Sequence, residues 1–491
     1  MLFNSYLFLF LFLPLCLAGF HMLAHRGRRE AAQLWLIGFS FWFYAYANPR
    51  YLPLLAGSIG VNYLAYRLMA RIPRRAGLFA GLGIGADLAV LFYFKYYDFF
   101  AENINSLFGS DLTLAKIVLP LGVSFFTFQQ IGFLADACRG DIPDCSLREY
   151  ALFASFFPHL SSGPIVLAGE MLPQYRQIGR DSFSWERLVR GVYLFVLGLS
   201  KKVLLADVFG QAVAAGYADV GALSGTDALL TMLFYTLQLY FDFSGYCDMG
   251  RGIAHMFGLE LPVNFDSPLK SRNIIDFWRS WHITLGRFLR RYVYIPLGGN
   301  RRGTGRMYAN LLLVFLVSGV WHGAGWTFVL WGLLQGLLYV LTRLWQRNVG
   351  TAIAAWPRLR HGLCVLGTFL FTNVAFVFFR SESLSQAGLF LRRLWKGGWT
   401  LPSEEIAEGF NLGEFWYVMK VLRLDRLPGS GLYLCAGFLA FALILVFCCR
   451  NAGECERRFV PKARSMVLTA VLFVWCLLSL SGVSSFLYYQ F

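Results

Sequence analysis

Two histidines that each follow a tryptophan are the residues of this chain best suited to chemistry: Trp281-His282 and Trp321-His322. A neutral imidazole accepts a proton near neutral pH. The first pair lies in an arginine-rich segment, and the second ends a stretch apolar enough to lie in lipid. A titratable side chain at membrane depth is costly and usually functional. The two pairs therefore predict proton-transfer chemistry inside a bilayer, on a substrate that approaches from a basic membrane face.

The composition predicts that these histidines are held by membrane helices. The chain has 491 residues, of which 57% are hydrophobic and only 15% are charged, less charge than a soluble domain of this length carries. Apolar runs of about 17–25 residues recur, the length that a helix needs to cross the hydrocarbon core. They are continuous rather than alternating, which excludes a β-barrel. We predict an all-α polytopic membrane protein with about 11–13 membrane helices.

The apolar runs give candidate spans along the whole chain. We predict one domain, 1–491, and a first span that is retained rather than cleaved, because it lacks a basic n-region and a small-residue cleavage site. The spans are 3–23, 31–47, 51–66, 78–97, 117–135, 150–167, 188–206, 228–246, 307–321, 326–345, 361–379, 431–448 and 466–487.

The net charge of +16 lies mainly between the apolar runs. This pattern indicates cytoplasmic loops that obey the positive-inside rule, and not nucleic-acid binding. Basic clusters follow the first and third spans and precede the last one, which places both termini outside. The segment 381–428 then lies outside as well, as a surface segment. The ten cysteines show no metal or redox spacing, so neither a metal site nor a disulfide framework is predicted.

The segment 270–306 is the densest basic region and carries His282. Asn273, three residues before Asp276, predicts a helix start, and Pro296-Leu297-Gly298-Gly299 predicts its stop. We expect an amphipathic helix at the cytoplasmic face, whose arginines meet anionic headgroups or the phosphates of a donor such as coenzyme A. His282 falls on its apolar face; the alternative is a buried histidine that only hydrogen-bonds its neighbours. The apolar positions are Trp278, Trp281, His282, Leu285, Leu289 and Tyr292.

His322 lies deep in a predicted span. Counted from Arg306, it falls roughly 24 Å along a helix, at or beyond the midplane of a core about 30 Å thick. Gly319 and Gly323 flank it, and glycine allows another helix or a substrate to approach closely. The alternative to a functional role is a histidine that bridges two helices.

Two further stretches place polar groups at membrane depth. Asp242 lies in 240–248 (YFDFSGYCD), where it is expected to orient a histidine, to pair with an arginine of 270–306, or to form a purely structural ion pair. Pro158-His159 predicts a broken helix, which is tolerated at that depth only where it is buried or lines a cavity.

The motifs around both histidines resemble those of the membrane-bound O-acyltransferase family. The most specific stretches are 277–285 (FWRSWHITL), 294–301 (YIPLGGNR) and 320–324 (VWHGA), and 156–164, 240–249 and the ending 486–491 (FLYYQF) are similar too. Within the family the chain looks most like the bacterial alginate O-acetyltransferase branch. Where relatives often have Arg-Asp it has Arg290-Arg291, and Phe288 stands where many have tryptophan.

The resemblance implies a helical bundle in which two opposed funnels meet at a central tunnel. It implies that His322 is catalytic and His282 the second motif histidine, and that a cytoplasmic acyl donor, acetyl-CoA, serves an acceptor outside. Tyr488 resembles a residue proposed as a relay in the teichoic acid system; an aromatic interface anchor is the alternative. The candidate substrate-binding residues are Trp281, Trp321, Arg279, Asp242, Asn300 and Tyr488.

The expected function is therefore O-acetylation of an exopolysaccharide, alginate first and cellulose or peptidoglycan as alternatives. The expected setting is the bacterial inner membrane, with membrane lipid and a periplasmic SGNH-type acetyltransferase as partners. A transporter of acetyl groups or polysaccharide without chemistry is the rival, although the internal repeats that transporters often show are not found. A scaffold that only recruits the periplasmic enzyme is the third hypothesis.

Overall fold

The computed structural model describes residues 1–142, 144–180, 183–348, 357–410, 420–421, 423, 429–482 and 486–487. The chain divides into two compact units, Met1–Phe195 with Cys247–Val263, and Val196–Tyr246 with Asn264–Phe491. Both are built from helices, and the described residues contain a single isolated β-bridge, between Phe265 and Trp281. The all-α prediction is confirmed. The single-domain parse of 1–491 and the two funnels with their tunnel stay predictions.

The first unit holds the amino-terminal helices. Its buried aromatic side chains include Phe3, Phe8, Phe12, Phe43 and Phe157, whose rings pack on one another at centroid distances of 5.0–6.5 Å. The α-helices are Leu13–His25, Arg29–Ala47, Leu52–Arg71, Ala76–Leu91, Tyr97–Phe108, Val123–Cys138, Leu147–Ser155, Phe157–Leu160 and Ala168–Gln177, with π-helical turns at Phe8–Phe12 and Phe92–Tyr96. The helices Trp185–Ser200 and Gly225–Met256 are divided between the units.

The second unit carries both motif histidines. Its further α-helices are Asp207–Ala218, Ile274–Ser280, Ile283–Leu289, Thr304–His322, Trp326–Asn348, Pro357–Arg380, Leu384–Lys396, Glu404–Glu408, Ser430–Phe447, Ala452–Arg457 and Ala463–Leu478, with π-helical turns at Lys201–Ala206 and Arg290–Tyr294. Part of the predicted outer segment, 381–428, lies outside the described residues.

Six of the described helices are long and apolar enough to cross a membrane, and Ala463–Leu478 is a shorter apolar helix. The protein is therefore a multi-pass membrane protein. The six are Phe8–His25, Pro73–Phe108, Thr304–His322, Trp326–Arg347, His361–Arg380 and Ser430–Phe447. Each coincides with a predicted span, while the total of 11–13 membrane helices stays a prediction.

Non-helical backbone interrupts the predicted spans 150–167 and 117–135. The run 150–167 breaks at Phe156 (φ −55°, ψ 111°), because Pro158 has no N–H to continue the Leu147–Ser155 helix and its ring would clash with the carbonyl four residues earlier. The broken helix predicted at Pro158 is thus confirmed. The run 117–135 becomes helical only at Val123, after Gly122 in the left-handed region (φ 67°).

The segment 270–306 is not one amphipathic helix, and that prediction is wrong. Its start is confirmed, because the Asn273 side chain accepts hydrogen bonds from the N–H groups of Ile275 and Asp276. The helix ends at Ser280 and a second one begins at Ile283. Between them Trp281 is extended and His282 adopts φ 47°, ψ 51°. The periodicity of the apolar residues continues through a break that the spacing alone does not reveal.

The close approach predicted at Gly319 is observed between the helices Thr304–His322 and Trp326–Asn348. A Cβ at Gly319 would strike the Phe328 carbonyl oxygen and lie 3.1 Å from the Gly332 Cα. Both obstacles are backbone atoms, which cannot rotate away as a side chain does.

Gly319→Ala is therefore expected to destabilise the folded protein by roughly 1–3 kcal/mol through overpacking. Gly305→Ala, in the same helix but with open space around the added Cβ, is the matched control and is expected to leave stability unchanged. Thermal unfolding in detergent or nanodiscs measures both. Equal thermal midpoints would show that the two helices separate easily enough to admit a methyl group.

Candidate active site

His282 is held in a left-handed backbone conformation at the break between two helices. Its φ of 47° is unusual for a residue with a side chain, although histidine tolerates this region better than most. The preceding Trp281 forms the antiparallel bridge to Phe265. This bridge and the sharp turn bring the His282 side chain into the interior, where 1% of the residue is exposed.

Asn264 supplies the start of the helix that follows His282. Its backbone carbonyl accepts the N–H of Ile283 at 3.0 Å, and its side-chain oxygen accepts the N–H of Thr284 at 3.1 Å and the Thr284 hydroxyl at 2.9 Å. The first N–H groups of a helix have no partner within the helix. A residue eighteen positions before His282 therefore caps this helix from outside it.

The same Asn264 side chain fixes the tautomer of His282. Its Oδ1 atom lies 3.2 Å from His282 Nδ1. Because a backbone N–H donates to that Oδ1 atom, the atom is an oxygen acceptor, and Nδ1 must donate to it. In a neutral imidazole only one ring nitrogen carries the proton. Nε2 of His282 therefore carries the lone pair.

His322 is the last residue of the Thr304–His322 helix, and 3% of it is exposed. Its Nδ1 atom lies 2.6 Å from the backbone oxygen of Ser318, one turn earlier. A carbonyl oxygen only accepts, so Nδ1 carries the proton, and in the neutral ring Nε2 carries the lone pair. The helix thus orients the ring of its own terminal residue.

The two imidazole rings lie side by side within an aromatic shell. Their centroids are 6.2 Å apart at an interplanar angle of 77°. Trp331 and Phe379 contact the His322 ring at 5.1 and 5.4 Å, and Phe243 contacts the His282 ring at 4.8 Å. The arrangement presents two imidazole rings in an apolar surrounding, each able to act as a base when it is neutral, which suits proton transfer to or from a reacting group.

Burial, together with the nearby His322 ring, holds the pKa of His282 well below its usual range. Above about pH 6.5, the ordinary histidine value, this group is neutral in both folded and unfolded chains. Below it the unfolded chain binds a proton that the folded chain does not, so stability falls as pH falls. Thermal midpoints measured from pH 8 to 5 are expected to drop more steeply for the wild type than for His282→Asn. Parallel curves would contradict a neutral buried His282.

Among the described residues, Asp242 contacts neither a histidine nor an arginine of 270–306, and the predicted alternative of a structural ion pair is the one observed. Its Oδ1 atom lies 2.7 Å from Lys202 Nζ, which also contacts Asp207 at 2.8 Å. Its Oδ2 atom accepts the backbone N–H of Leu487 at 3.0 Å. All three charged side chains are buried.

The other candidate substrate-binding residues divide into buried and exposed ones. The Trp321 ring lies 5.0 Å from that of His322 and 6.0 Å from that of His282. Trp281 stacks on Phe277 at 5.4 Å within the core. The Arg279 side chain is 76% exposed and pairs with Asp276 at 3.6 Å, and Asn300 is exposed in a turn. Tyr488 lies outside the described residues.

Sequence reasoning missed Asn264, Phe379 and Lys202. Lys202 had a usable signal, since it is a charged residue within a predicted span. Asn264 and Phe379 had none, because their contacts with the histidines depend on tertiary packing. Among the described residues, no group of three or more His, Cys, Asp or Glu side chains is arranged to hold a metal ion.

Comparison with known proteins places these motifs in one family. Residues 137–383 match the membrane-bound O-acyltransferase (MBOAT) family. A peptidoglycan O-acetyltransferase of Helicobacter pylori is 42% identical over 79% of this chain and 78% of its own length. A "Probable alginate O-acetylase AlgI" of Pseudomonas aeruginosa is 37% identical over 82% of this chain and 76% of its own. The corresponding protein of Pseudomonas putida is 33% identical over the full length of both.

The family match takes in the His282 and His322 motifs and the aromatic residues around them. The relatives also cover more than three quarters of the chain. Family and relatives agree on acyl transfer to oxygen, which requires an acyl donor. The chain therefore belongs to the membrane-bound O-acyltransferase family and is a multi-pass O-acyltransferase.

Proposed function

We propose that the chain takes an acetyl group from acetyl-CoA at the cytoplasmic face and transfers it across the inner membrane for O-acetylation of a polysaccharide outside the cell. The observation that carries the proposal is the pair of buried imidazole rings 6.2 Å apart. In each ring Nδ1 donates into the protein and Nε2 keeps its lone pair. Such a pair suits base catalysis, whereas a passive pathway has no need of it.

In the proposed reaction His322 is the general base. Its Nε2 takes the proton of an incoming hydroxyl while the hydroxyl oxygen attacks the acetyl carbonyl carbon. The carbon–sulfur bond then breaks, and the coenzyme A thiolate leaves and takes up the proton that His322 Nε2 removed from the hydroxyl, which restores the neutral histidine. Proton transfer by a positioned side chain contributes typically 10²–10⁴-fold to the rate. His282, whose Nε2 lone pair accepts a hydrogen bond, orients the donor.

The exposed arginines of 270–306 support a phosphorylated donor. Guanidinium groups bind phosphate through paired hydrogen bonds, and coenzyme A carries several phosphates. Positive charge between spans also favours a cytoplasmic position, with both chain termini outside. The exposed members are Arg272, Arg279, Arg290, Arg301, Arg302 and Arg306.

Alginate is the proposed acceptor polymer, because the Pseudomonas relatives bear the name of alginate O-acetylases. Peptidoglycan is the second candidate, and a specific observation favours it: the Helicobacter pylori relative is named for that polymer and is 42% identical. Cellulose is a third. We further propose that a periplasmic SGNH-type acetyltransferase receives the acetyl group, either directly or through Tyr488 acting as a covalent relay.

Inverted membrane vesicles test this proposal. Acetyl-CoA labelled in its acetyl group is added outside, where the cytoplasmic face is exposed, and vesicles are loaded with oligomannuronate, muropeptides or no acceptor. Ester-linked label on one luminal acceptor, absent from vesicles without the protein, is the expected result and identifies the polymer. Luminal free acetate or label without an ester bond would favour a transporter. If folded protein, supplied with the periplasmic SGNH-type acetyltransferase, gave no labelled product from acetyl-CoA, the proposed donor would be contradicted.

A further inference from the structure

We propose that Lys202 and Asp242 are positioning residues that hold Phe486 and Leu487, called here the C-terminal segment, against the helix that contacts His282, and that this placement is needed for the acetyl group to pass to its acceptor. This inference rests on the proposed function and deepens it. It starts from a group that the reaction itself leaves unused: the buried cluster of Lys202, Asp207 and Asp242. The side chains are 1%, 6% and 3% exposed.

A buried carboxylate is stable only when its lone pairs are satisfied. Oδ1 of Asp242 faces Lys202 Nζ at 2.7 Å. Its second oxygen receives the backbone N–H of Leu487 at 3.0 Å, from a residue 245 positions further along the chain. The C-terminal segment thus completes the hydrogen bonds of Asp242, and its release would leave a charged oxygen buried without that donor.

The residue before Leu487 is held by the same cluster. Lys202 Nζ lies 4.7 Å from the centre of the Phe486 ring, within the range of a cation–π contact. The Phe486 ring also packs in a T-shaped arrangement with the Tyr246 ring, with the two centroids 4.4 Å apart. Phe486 and Leu487 are 1% and 7% exposed. A backbone hydrogen bond, a cation and an aromatic ring therefore fix two consecutive residues in place.

The anchor lies about one helical turn from the contact with His282. Within the Gly225–Met256 helix, Phe243 touches the His282 ring at 4.8 Å and Tyr246 touches Phe486 at 4.4 Å. Residues three apart share a helix face and are displaced by roughly 4.5 Å along its axis. One face of this helix thus contacts the histidine site and the C-terminal segment together, and Tyr488 directly follows Leu487 in the sequence.

The first test removes the hydrogen bond between Leu487 and Asp242 by a substitution at Leu487. Leu487→Pro deletes the N–H that Asp242 accepts, and Leu487→Val, which retains the N–H on a side chain with the same number of carbons as proline, is the matched control. Transfer is measured with the full chain in vesicles, per folded molecule, against donor and acceptor concentrations. Leu487→Pro is expected to lower kcat at least about tenfold, with an unchanged KM for acetyl-CoA, and to lower the thermal midpoint without loss of folding, because Asp242 loses one buried donor. Equal activity of the two variants, or loss of folding by Leu487→Pro, would overturn the proposal.

A second pair of variants tests the cluster side. Asp242→Asn and Asp207→Asn each remove one carboxylate from Lys202, but only Asp242 touches Leu487. We expect the larger loss of transfer from Asp242→Asn; equal losses would mean that the cluster only stabilises the fold. This inference alone would be overturned if the wild type were active, His322→Ala were inactive, and Asp242→Asn and Asp207→Asn lost equal activity. A His322→Ala protein with full activity would overturn the proposed function instead.

Discussion

Replacing His322 with alanine is expected to lower acetyl transfer by roughly 10²–10⁴-fold, the contribution of a positioned general base. The Ser318 carbonyl holds Nδ1 at 2.6 Å and so directs the unprotonated Nε2 toward the reacting hydroxyl. Trp331 and Phe379, which contact the ring, offer no basic atom in its place, and the ring centroid of the other imidazole, His282, lies 6.2 Å away. Initial rates of label transfer, per folded molecule, measure the effect.

Ser318→Ala is the control for this variant. It retains the backbone oxygen that accepts from His322 and removes only a buried hydroxyl that makes no hydrogen bond in the structure. Its transfer rate is expected to match the wild type. If folded His322→Ala protein transferred acetyl groups at the wild-type rate, general-base catalysis by His322 would be excluded. That result would favour the transporter or the scaffold hypothesis over catalysis by this chain.

Replacing Asn264 with alanine is expected to lower transfer about 100-fold and to cost about 3 kcal/mol of unfolding free energy. The substitution removes the acceptor of three buried donors: His282 Nδ1, the Thr284 N–H and the Thr284 hydroxyl. Each buried donor left without a partner costs roughly 1–3 kcal/mol. A histidine whose tautomer is no longer fixed loses much of its catalytic value. Rates and thermal midpoints, measured on the same preparation, report the two effects.

Asn264→Asp separates these effects, because it keeps an acceptor oxygen in the same place. The new carboxylate is expected to raise the pKa of His282 by stabilising the imidazolium. Stability then changes little near neutral pH, while transfer falls and the acid limb of its pH profile moves to higher pH. A variant that lost stability as Asn264→Ala does, with an unmoved profile, would show that Asn264 serves the fold alone.

The sequence was sufficient for the fold class and for the histidine pair. Long apolar runs have few structural solutions in lipid, because every backbone polar group must be paired internally. For the same reason the spans around His322 coincide with observed helices. Asn273 was recognisable as a helix start because its cap is local, made to residues two and three positions away.

Contacts between residues far apart in the chain could not be predicted from the sequence. The break at Trp281-His282 depends on the bridge to Phe265 and on the cap supplied by Asn264, neither of which leaves a periodic signal. The sequence left three roles possible for Asp242, because a carboxylate accepts hydrogen bonds from any cation within reach. The position of Asp242 in the folded Gly225–Met256 helix, which the sequence does not reveal, makes Lys202 its partner.

The left-handed backbone at His282 restricts what position 282 can tolerate independently of catalysis. Glycine, asparagine and aspartate enter this region at modest energy, whereas β-branched residues do so only with strain. A screen of all substitutions at position 282 would therefore score most of them as inactive even if the imidazole had no part in the reaction. Such a screen does not distinguish a misfolded variant from a folded variant that lacks the catalytic group. Only the asparagine and glycine variants give a fair baseline from which the chemical worth of the imidazole can be measured.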